Sequence, residues 1–420
     1  MTGFSAARHA ALGLDSSDPL ASLRDRFIFD DPEVIYLDGN SLGRLPRATA
    51  ERIGRVVRDE WGRGLIRSWE HWIDLPFQTG DLLGEHLLGA APGQVAVCDN
   101  TTVNLYKLAS AALDARPGRS VIVSDDDNFP TDRYVLEGLA KERGYVLRLL
   151  HSDIDQGLAT TTLRAALDER TALVSLSHVA YRSGALLDMA SVTRLVHDAG
   201  AVMLWDLCHS AGAVQVQLDA SGADLAVGCT YKYLNAGPGS PAFLYVRRDL
   251  QDQLRQPVWG WFGQQDQFAM GPGYDPRPEI ARFLTGTPPI IGIVAVEEGA
   301  RLLADAGIGR LRAKGMQLTD YLINLADRWL VPLGCALASP RDAAGRGSHV
   351  CLRHPEAQWV CGALATAGVI TDYRAPDRLR LGLAPITTRY ADVWDAMDRF
   401  RQVLAAKTTA RSHPDRSPGT

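Results

Sequence analysis

The sequence predicts an α/β protein: a large domain with a mostly parallel seven-stranded sheet covered by helices, plus a smaller C-terminal α+β domain. Three observations carry that expectation. Seven short apolar runs, at 95–97, 120–124, 145–150, 171–177, 201–205, 224–228 and 242–246, are separated by segments of mostly helical length, the alternation of a sheet covered on both faces. Two of these runs deliver ionisable residues at their carboxyl ends: Asp206 on one, and Tyr231 and Lys232 just beyond the other. Open α/β sheets keep their ligands at that edge. Beyond residue 293 a long amphipathic helical pattern leads into short alternating runs at 348–354, 369–373 and 378–385, with a helix around 356–367, as expected of a small sheet with helices on one face.

In chain order, residues 1–30 read as a polar lead-in and a short helix, DPLASLRDRFIF. VIYLDGNSLGRLP follows, in which Asp38, Gly39, Asn40, Ser41 and Gly43 form either a plain turn before a helix at 46–60 or a loop that touches a ligand; glycine and asparagine at this density let backbone approach closely. Residues 1–60 are expected as an arm and helix packing with the small domain, 61–292 as the large domain, 293–407 as the small domain and 408–420 as a disordered tail. Trp61, Trp69, His71, Trp72 and Phe77 cluster in a non-periodic stretch, with core packing the plainer reading and a pocket lining the alternative. At 99–102 cap-type residues precede an apolar helical stripe. A helix start there offers free N–H groups and a favourable dipole to an anion, although ordinary capping is the commoner explanation by several-fold. Phe129, at the carboxyl end of a strand run, has little reason to sit there unless it stacks on something flat. The Gly- and Pro-rich segment from about 255 to 290 is long for a structureless loop, which marks it as functional or interfacial.

Lysine is scarce, at positions 107, 141, 232, 314 and 407 only. Lys232 alone falls at a strand end, beside a Gly-Pro-Gly turn. A desolvated lysine is the nucleophile of Schiff-base chemistry with carbonyl compounds. An aspartate on a neighbouring strand is what a pyridine nitrogen needs to stay protonated as an electron sink. A surface lysine with a structural aspartate remains the bland alternative.

Composition narrows the class. The 420 residues, 46% apolar and 22% charged, have a composition ordinary for a soluble globular enzyme, and a net charge of −5 gives no footprint for nucleic acid. No apolar run reaches membrane-spanning length and no signal-peptide core opens the chain, so cytoplasm is the expectation. The six cysteines form no C-x-x-C pair, favouring reduced thiols over disulfides or metal.

Nine stretches in order, YLDGNSLG (36–43), TTVN (101–104), NFPTD (128–132), SHVAYRSG (177–184), WDLCHSAG (205–212), CTYKYLNAGPGSPAF (229–243), WGWFG (259–263), GTPPI (286–290) and RLRLGLAP (378–385), give the chain a resemblance. It resembles the aspartate-aminotransferase fold type of pyridoxal-phosphate enzymes and, within it, the kynureninase family, over nearly its whole length. The resemblance implies hydrolysis of the Cβ–Cγ bond of L-kynurenine or 3-hydroxy-L-kynurenine to anthranilate or its hydroxy form and L-alanine, in tryptophan catabolism and the kynurenine pathway towards NAD. It implies pyridoxal 5'-phosphate as cofactor and no metal, with Lys232 holding its aldehyde and Asp206 its ring nitrogen. Phe129 would stack on the ring, with Asp132 and Ser177 at its polar edge. Thr101, Thr102, His209 and Tyr231 would hold the phosphate, joined by Trp261 and Thr287 from the second subunit of a homodimer. Arg380 would clamp the substrate carboxylate, with Asn40 and Ser41 beside it, and Tyr231 would double as a proton relay. The rival readings are another lyase of the same fold type, such as a cysteine desulfurase-like enzyme, and a non-catalytic homologue. Cys351 and Cys361, in apolar strand and helix contexts, oppose the first, and the retention of Lys232, Asp206 and Arg380 opposes the second.

Overall fold

In the computed structural model, which describes residues 4–412, the seven predicted strand runs form one sheet. They are β1 (Val95–Val97), β2 (Val121–Asp125), β3 (Val146–Leu150), β4 (Thr171–Ser177), β5 (Val202–Asp206), β6 (Leu225–Gly228) and β7 (Phe243–Val246). The spatial order is β1-β7-β6-β5-β4-β2-β3, with β7 antiparallel to both its neighbours and every other pairing parallel. The fold class is therefore the predicted one. Apolar side chains from alternate positions of these strands feed two clusters, one on each face: Val121, Val123, Val174 and Met203 on one side, Ile122, Leu173, Val202 and Leu204 on the other. That two-sided burial is why the strands read as continuous apolar runs. Helices α2 (Thr101–Asp114), α3 (Pro130–Arg143) and α4 (Met189–Asp198) connect strands and cover the faces.

The small sheet contains β8 (Ala336–Leu337), β9 (His349–Arg353), β10 (Asp372–Arg374) and β11 (Arg378–Gly382), in the order β10-β11-β9-β8 and antiparallel throughout. The long helical pattern divides at Gly307, whose φ of 79° breaks it into α5 (Ile290–Ala306) and α6 (Ile308–Trp329). Ile293, Val294, Val296, Leu302 and Leu303 of α5 belong to the large-sheet core, whereas Leu318, Leu322 and Leu325 of α6 belong to the small-sheet core. Ile308 and Leu311, at the start of α6, still pack with the large-sheet core, so the change of sides falls within α6, and the apolar stripe of α5 faces the large sheet.

The lead-in holds an unpredicted helix, α1 (Arg8–Ser16), while the expected helix over 18–29 is reduced to a 3₁₀ turn at Ala21–Arg26. A helix this short gains its stability from packing. Asp15 accepts the N–H groups of Tyr390 (2.7 Å) and Ala391 (3.0 Å), capping α8 (Tyr390–Ser412) from another part of the chain. The backbone of α8 runs into the stretch expected as a disordered tail, and residues 413–420 of that stretch lie outside the described residues. The aromatic cluster sits among helical turns, including a helix at Leu75–Leu83, and divides: Trp72 is buried and Trp69 stands 5.7 Å from it edge-on, while Trp61 is exposed.

Candidate active site

The carboxyl ends of β4, β5 and β6 converge with β11 and the 36–43 loop. Asp206 ends β5 and is buried. Its Oδ1 accepts the Cys208 N–H at 2.8 Å, and its Oδ2 lies 3.3 Å from Ser177 Oγ at the end of β4. Asn128 Oδ1 also accepts from Ser177 Oγ (2.7 Å). Asp132, on the first turn of α3, is fully enclosed, and its Oδ2 has no hydrogen-bond partner. Burial and the neighbouring Asp206 carboxylate push Asp132 well above the usual carboxylate range, because each disfavours its charged form.

Lys232 is buried, with its Nζ 3.3 Å from His209 Nε2 and 5.8 Å from the centre of the Phe129 ring. Phe129 is exposed on one side and held edge-on by Tyr181 at 5.4 Å, leaving a ring face open for stacking. His209, expected among the phosphate groups, has Lys232 and, at 3.5 Å, Arg380 Nη1 as its contacts within the protein. Burial, then the Lys232 and Arg380 cations, hold its pKa well below the ordinary value, so it is a neutral imidazole at the amine end of the site.

Thr101 and Thr102 open α2, capped by Asn100, whose side chain accepts from the Val103 N–H at 3.0 Å. The first N–H groups of the helix, with two hydroxyls, make a cradle for an anion. Tyr231 is half-buried; burial raises its hydroxyl above the ordinary value, leaving it a donor. Its carbonyl accepts the Gly43 N–H at 2.8 Å, and a Cβ on Gly43 would overlap the Lys232 carbonyl. The glycine of the 36–43 loop is therefore what lets that loop lie against the lysine segment.

Arg380, on β11, is 1% exposed. Its Nε and Nη2 pair with Asp372 Oδ1 (3.0 Å) and Oδ2 (2.5 Å), Nη2 donates to Ser41 Oγ (3.0 Å), and Nη1 donates to the Tyr181 carbonyl (2.6 Å). With its amide oxygen turned toward the guanidinium, Asn40 accepts from Nε (2.6 Å) and Nη2 (3.0 Å). Sequence reasoning missed Asp372. It lies directly across from Arg380 in the β10–β11 ladder, and opposite charges in adjacent alternating runs were the available signal. It also missed Asn128, Tyr181 and His349, whose ring is 5.6 Å from that of His209 and whose two nitrogens have no partner. Trp261 and Thr287 are not among these groups: both are exposed, on the 255–290 segment. A cavity of about 340 Å³ opens beside Asn128 and Ser177, reaching Asp125, Asp127 and, across the cleft, Pro340 and Gly345.

These residues fit pyridoxal phosphate: an anion cradle at α2, a buried carboxylate for the ring nitrogen, an enclosed carboxyl oxygen without partner, an open aromatic face and a buried amine. Residues 311–400 match the family model described as the kynureninase C-terminal domain. Kynureninase of Pseudomonas fluorescens is 46% identical over 413 residues, covering 96% of this chain and 97% of its own. Kynureninase of Burkholderia pseudomallei (strain 1106a) is 48% identical over 405 residues, 94% of this chain and 95% of its own. Among solved structures, a cysteine desulfurase of Thermococcus onnurineus superposes with a TM-score of 0.80 at 19% identity, covering 92% of this chain and 98% of that one. The enzyme C-DES with glycine covalently linked to its PLP cofactor superposes at 0.77 and 18% identity, covering 88% and 97%. At such identities the superpositions speak for the fold, which this chain shares with pyridoxal-phosphate enzymes. Nearly full-length identity close to one half settles the closer relationship: the chain belongs to the kynureninase family.

Proposed function

We propose that Lys232, Asp206, Tyr231 and Arg380 are the residues through which this pyridoxal-phosphate enzyme of the kynureninase family hydrolyses the Cβ–Cγ bond of L-kynurenine, releasing anthranilate and L-alanine. The observation that carries the assignment is Lys232 Nζ, buried at the end of a strand 3.3 Å from a neutral histidine and flanked by an open phenyl face. The cofactor, when bound, supplies a protonated pyridine ring that accepts the electron pair left on carbon when a bond breaks. Asp206 keeps that ring nitrogen protonated, and Asp132 lines the polar edge of the ring beside it. Lys232 takes a proton from the substrate α-carbon and returns one, and His209, neutral, accepts a hydrogen bond from the amine and aims it. The Lys232 amine stands 5.9 Å from the centre of the Tyr231 ring, whose hydroxyl is the proposed proton relay, and Thr101 and Thr102 seat the phosphate. Arg380, whose guanidinium is held by Asp372, Asn40 and Ser41, supplies the cation of the cluster that the α-carboxylate joins. Neither cysteine of the small sheet and its helix suits desulfurase chemistry. Cys351 is buried in β9 with its pKa pushed up to about 12 by burial, and the Cys361 thiol donates to the Thr371 carbonyl at 3.4 Å.

Lys232→Ala will lose the cofactor adduct that borohydride traps and will release no anthranilate, while its thermal unfolding stays near that of the parent. A trapped adduct with parental turnover in that variant would remove Lys232 from the role.

The same reading makes the enzyme a homodimer. Trp261 and Thr287 would complete the phosphate site of the second subunit, and Trp259, Trp261, Phe268 and Met270 expose apolar surface on one segment, the kind of patch that marks an interface. Sedimentation at micromolar concentration is expected to give twice the chain mass, and a monomer with full cofactor affinity would contradict it. Six free thiols suit the reducing cytoplasm.

A further inference from the structure

Lys107 is the one lysine of α2, and it is 0% exposed. Nothing in the reaction uses it. Its Nζ donates to Asp99 Oδ2 at 2.6 Å, to the Phe283 carbonyl at 2.7 Å and to Cys98 Sγ at 3.7 Å, engaging all three of its hydrogens. The other oxygen of Asp99 accepts from Thr285 Oγ1 at 3.1 Å. Asp99 itself holds a left-handed backbone, φ 46°, uncommon for a residue with a side chain. A buried ion pair adds little net stability compared with apolar residues of the same volume, and its clearest benefit is a fixed geometry. What this pair fixes is explicit. Asp99 stands two residues before Thr101, the start of the phosphate cradle, and Phe283 and Thr285 stand just before Thr287. The Thr285 carbonyl accepts the Phe262 N–H at 3.1 Å, and a Cβ on Gly260 would overlap it, so the Trp261 turn rides on the same backbone.

We propose that Lys107 and Asp99 are positioning residues for cofactor phosphate: a buried strut that sets the 283–287 segment, and with it Thr287 and Trp261, at the height needed to reach the phosphate in the second subunit. The inference rests on the proposed crossing of this segment to the partner's site. The strut also has an electrostatic side. Asp99 puts a carboxylate near an anion cradle, and the lysine neutralises it, so an unpaired Asp99 would repel the group the cradle is meant to hold. One ion pair thereby joins the cradle for a subunit's own cofactor to the segment that serves its neighbour's.

The test is binding, on apo-protein. Pyridoxal 5'-phosphate and pyridoxal, which lacks the phosphate, are titrated into the parent, Lys107→Met, the neutral double variant Asp99→Asn/Lys107→Met, and Thr287→Ala, following the absorbance of the bound aldehyde. Removing an outer support of a ligand site typically weakens it about ten- to a hundredfold. Lys107→Met, the double variant and Thr287→Ala should all raise Kd for pyridoxal phosphate by about tenfold or more, with Kd for pyridoxal unchanged. Should Lys107→Met fail to fold because Asp99 is left unpaired, the double variant, which buries no charge there, decides. Equal weakening of both ligands, no weakening, or failure of both variants to fold would assign the pair to folding alone and overturn the proposal. If Thr287→Ala weakens phosphate binding selectively while neither strut variant does, the proposal falls and the reading of the segment stands. If Thr287→Ala changes nothing, both fall.

Discussion

At the scale of single residues, the site is built by giving each ionisable group a partner that fixes its charge. His209 is neutral because burial and two cations around it disfavour a third positive charge. Asp132 is pushed well above the usual carboxylate range because burial and Asp206 disfavour a second negative charge. Arg380 departs from the picture its sequence position suggests: its fork is already filled by Asp372, Asn40 and Ser41. The substrate carboxylate thus joins an existing cluster rather than meeting a bare cation. Losing one member of a desolvated charge pair costs on the order of 2–5 kcal/mol. Arg380→Ala will therefore raise KM for kynurenine by about two orders of magnitude, with the cofactor band retained. Arg380→Lys, which keeps the charge but loses the fork, should fall between the two, and steady-state kinetics of both variants check this. A near-parental KM in Arg380→Ala would move the carboxylate to Arg374, which pairs with the same Asp372 at 2.8 Å.

At the scale of elements, β11 and the 36–43 loop work as one unit. The Gly382 N–H donates to the Leu37 carbonyl at 2.7 Å, and a Cβ at Gly382 would run into the Asn40 amide. Gly382→Ala must push the loop away from the strand. Overpacking of this kind costs about 1–3 kcal/mol, and because Asn40 and Ser41 move with the loop, KM should rise along with the drop in denaturation midpoint; an unchanged KM would separate the loop from recognition. Most of the large-sheet strands were legible because they are buried on both faces, and such burial writes itself as apolar runs; the edge strand Val146–Leu150 is apolar although largely exposed. Helix α1 was not, because its reason to be helical lies in α8, far along the chain. The same distinction holds in the site. Lys232, Asp206 and Phe129 announce themselves as unusual residues at strand ends. The contacts of Arg380 with His209 and with the Tyr181 carbonyl depend on how the small sheet docks, which no local pattern records.

At the scale of the whole molecule, stability is tied to pH through carboxyl groups buried at the sheet edge. Asp125, at the end of β2, is pushed up to about 7, first by burial and then by Asp126. Protonated in the folded chain and ionised in the unfolded one between about pH 4 and 7, it contributes stability that is complete below pH 4 and lost as the pH rises through 7. Each pH step of one between those two values removes about 1.4 kcal/mol. Asp125→Asn, which cannot ionise, should therefore gain on the parent by a few kcal/mol between about pH 4 and 8. Thermal unfolding of apo-protein at several pH values measures it, and a constant difference between the two would refute the assignment. The large and small sheets meet in one further respect. Arg380 belongs by sequence to the small sheet, yet its donors end on the 36–43 loop and on the Tyr181 carbonyl of the large domain. The clamp exists only when three separate stretches of chain have docked on one another. On the proposed role of Arg380, recognition of an amino acid is also a check on assembly: a chain with any of the three undocked would have no seat for a carboxylate, and so would not hold a substrate that it could not process.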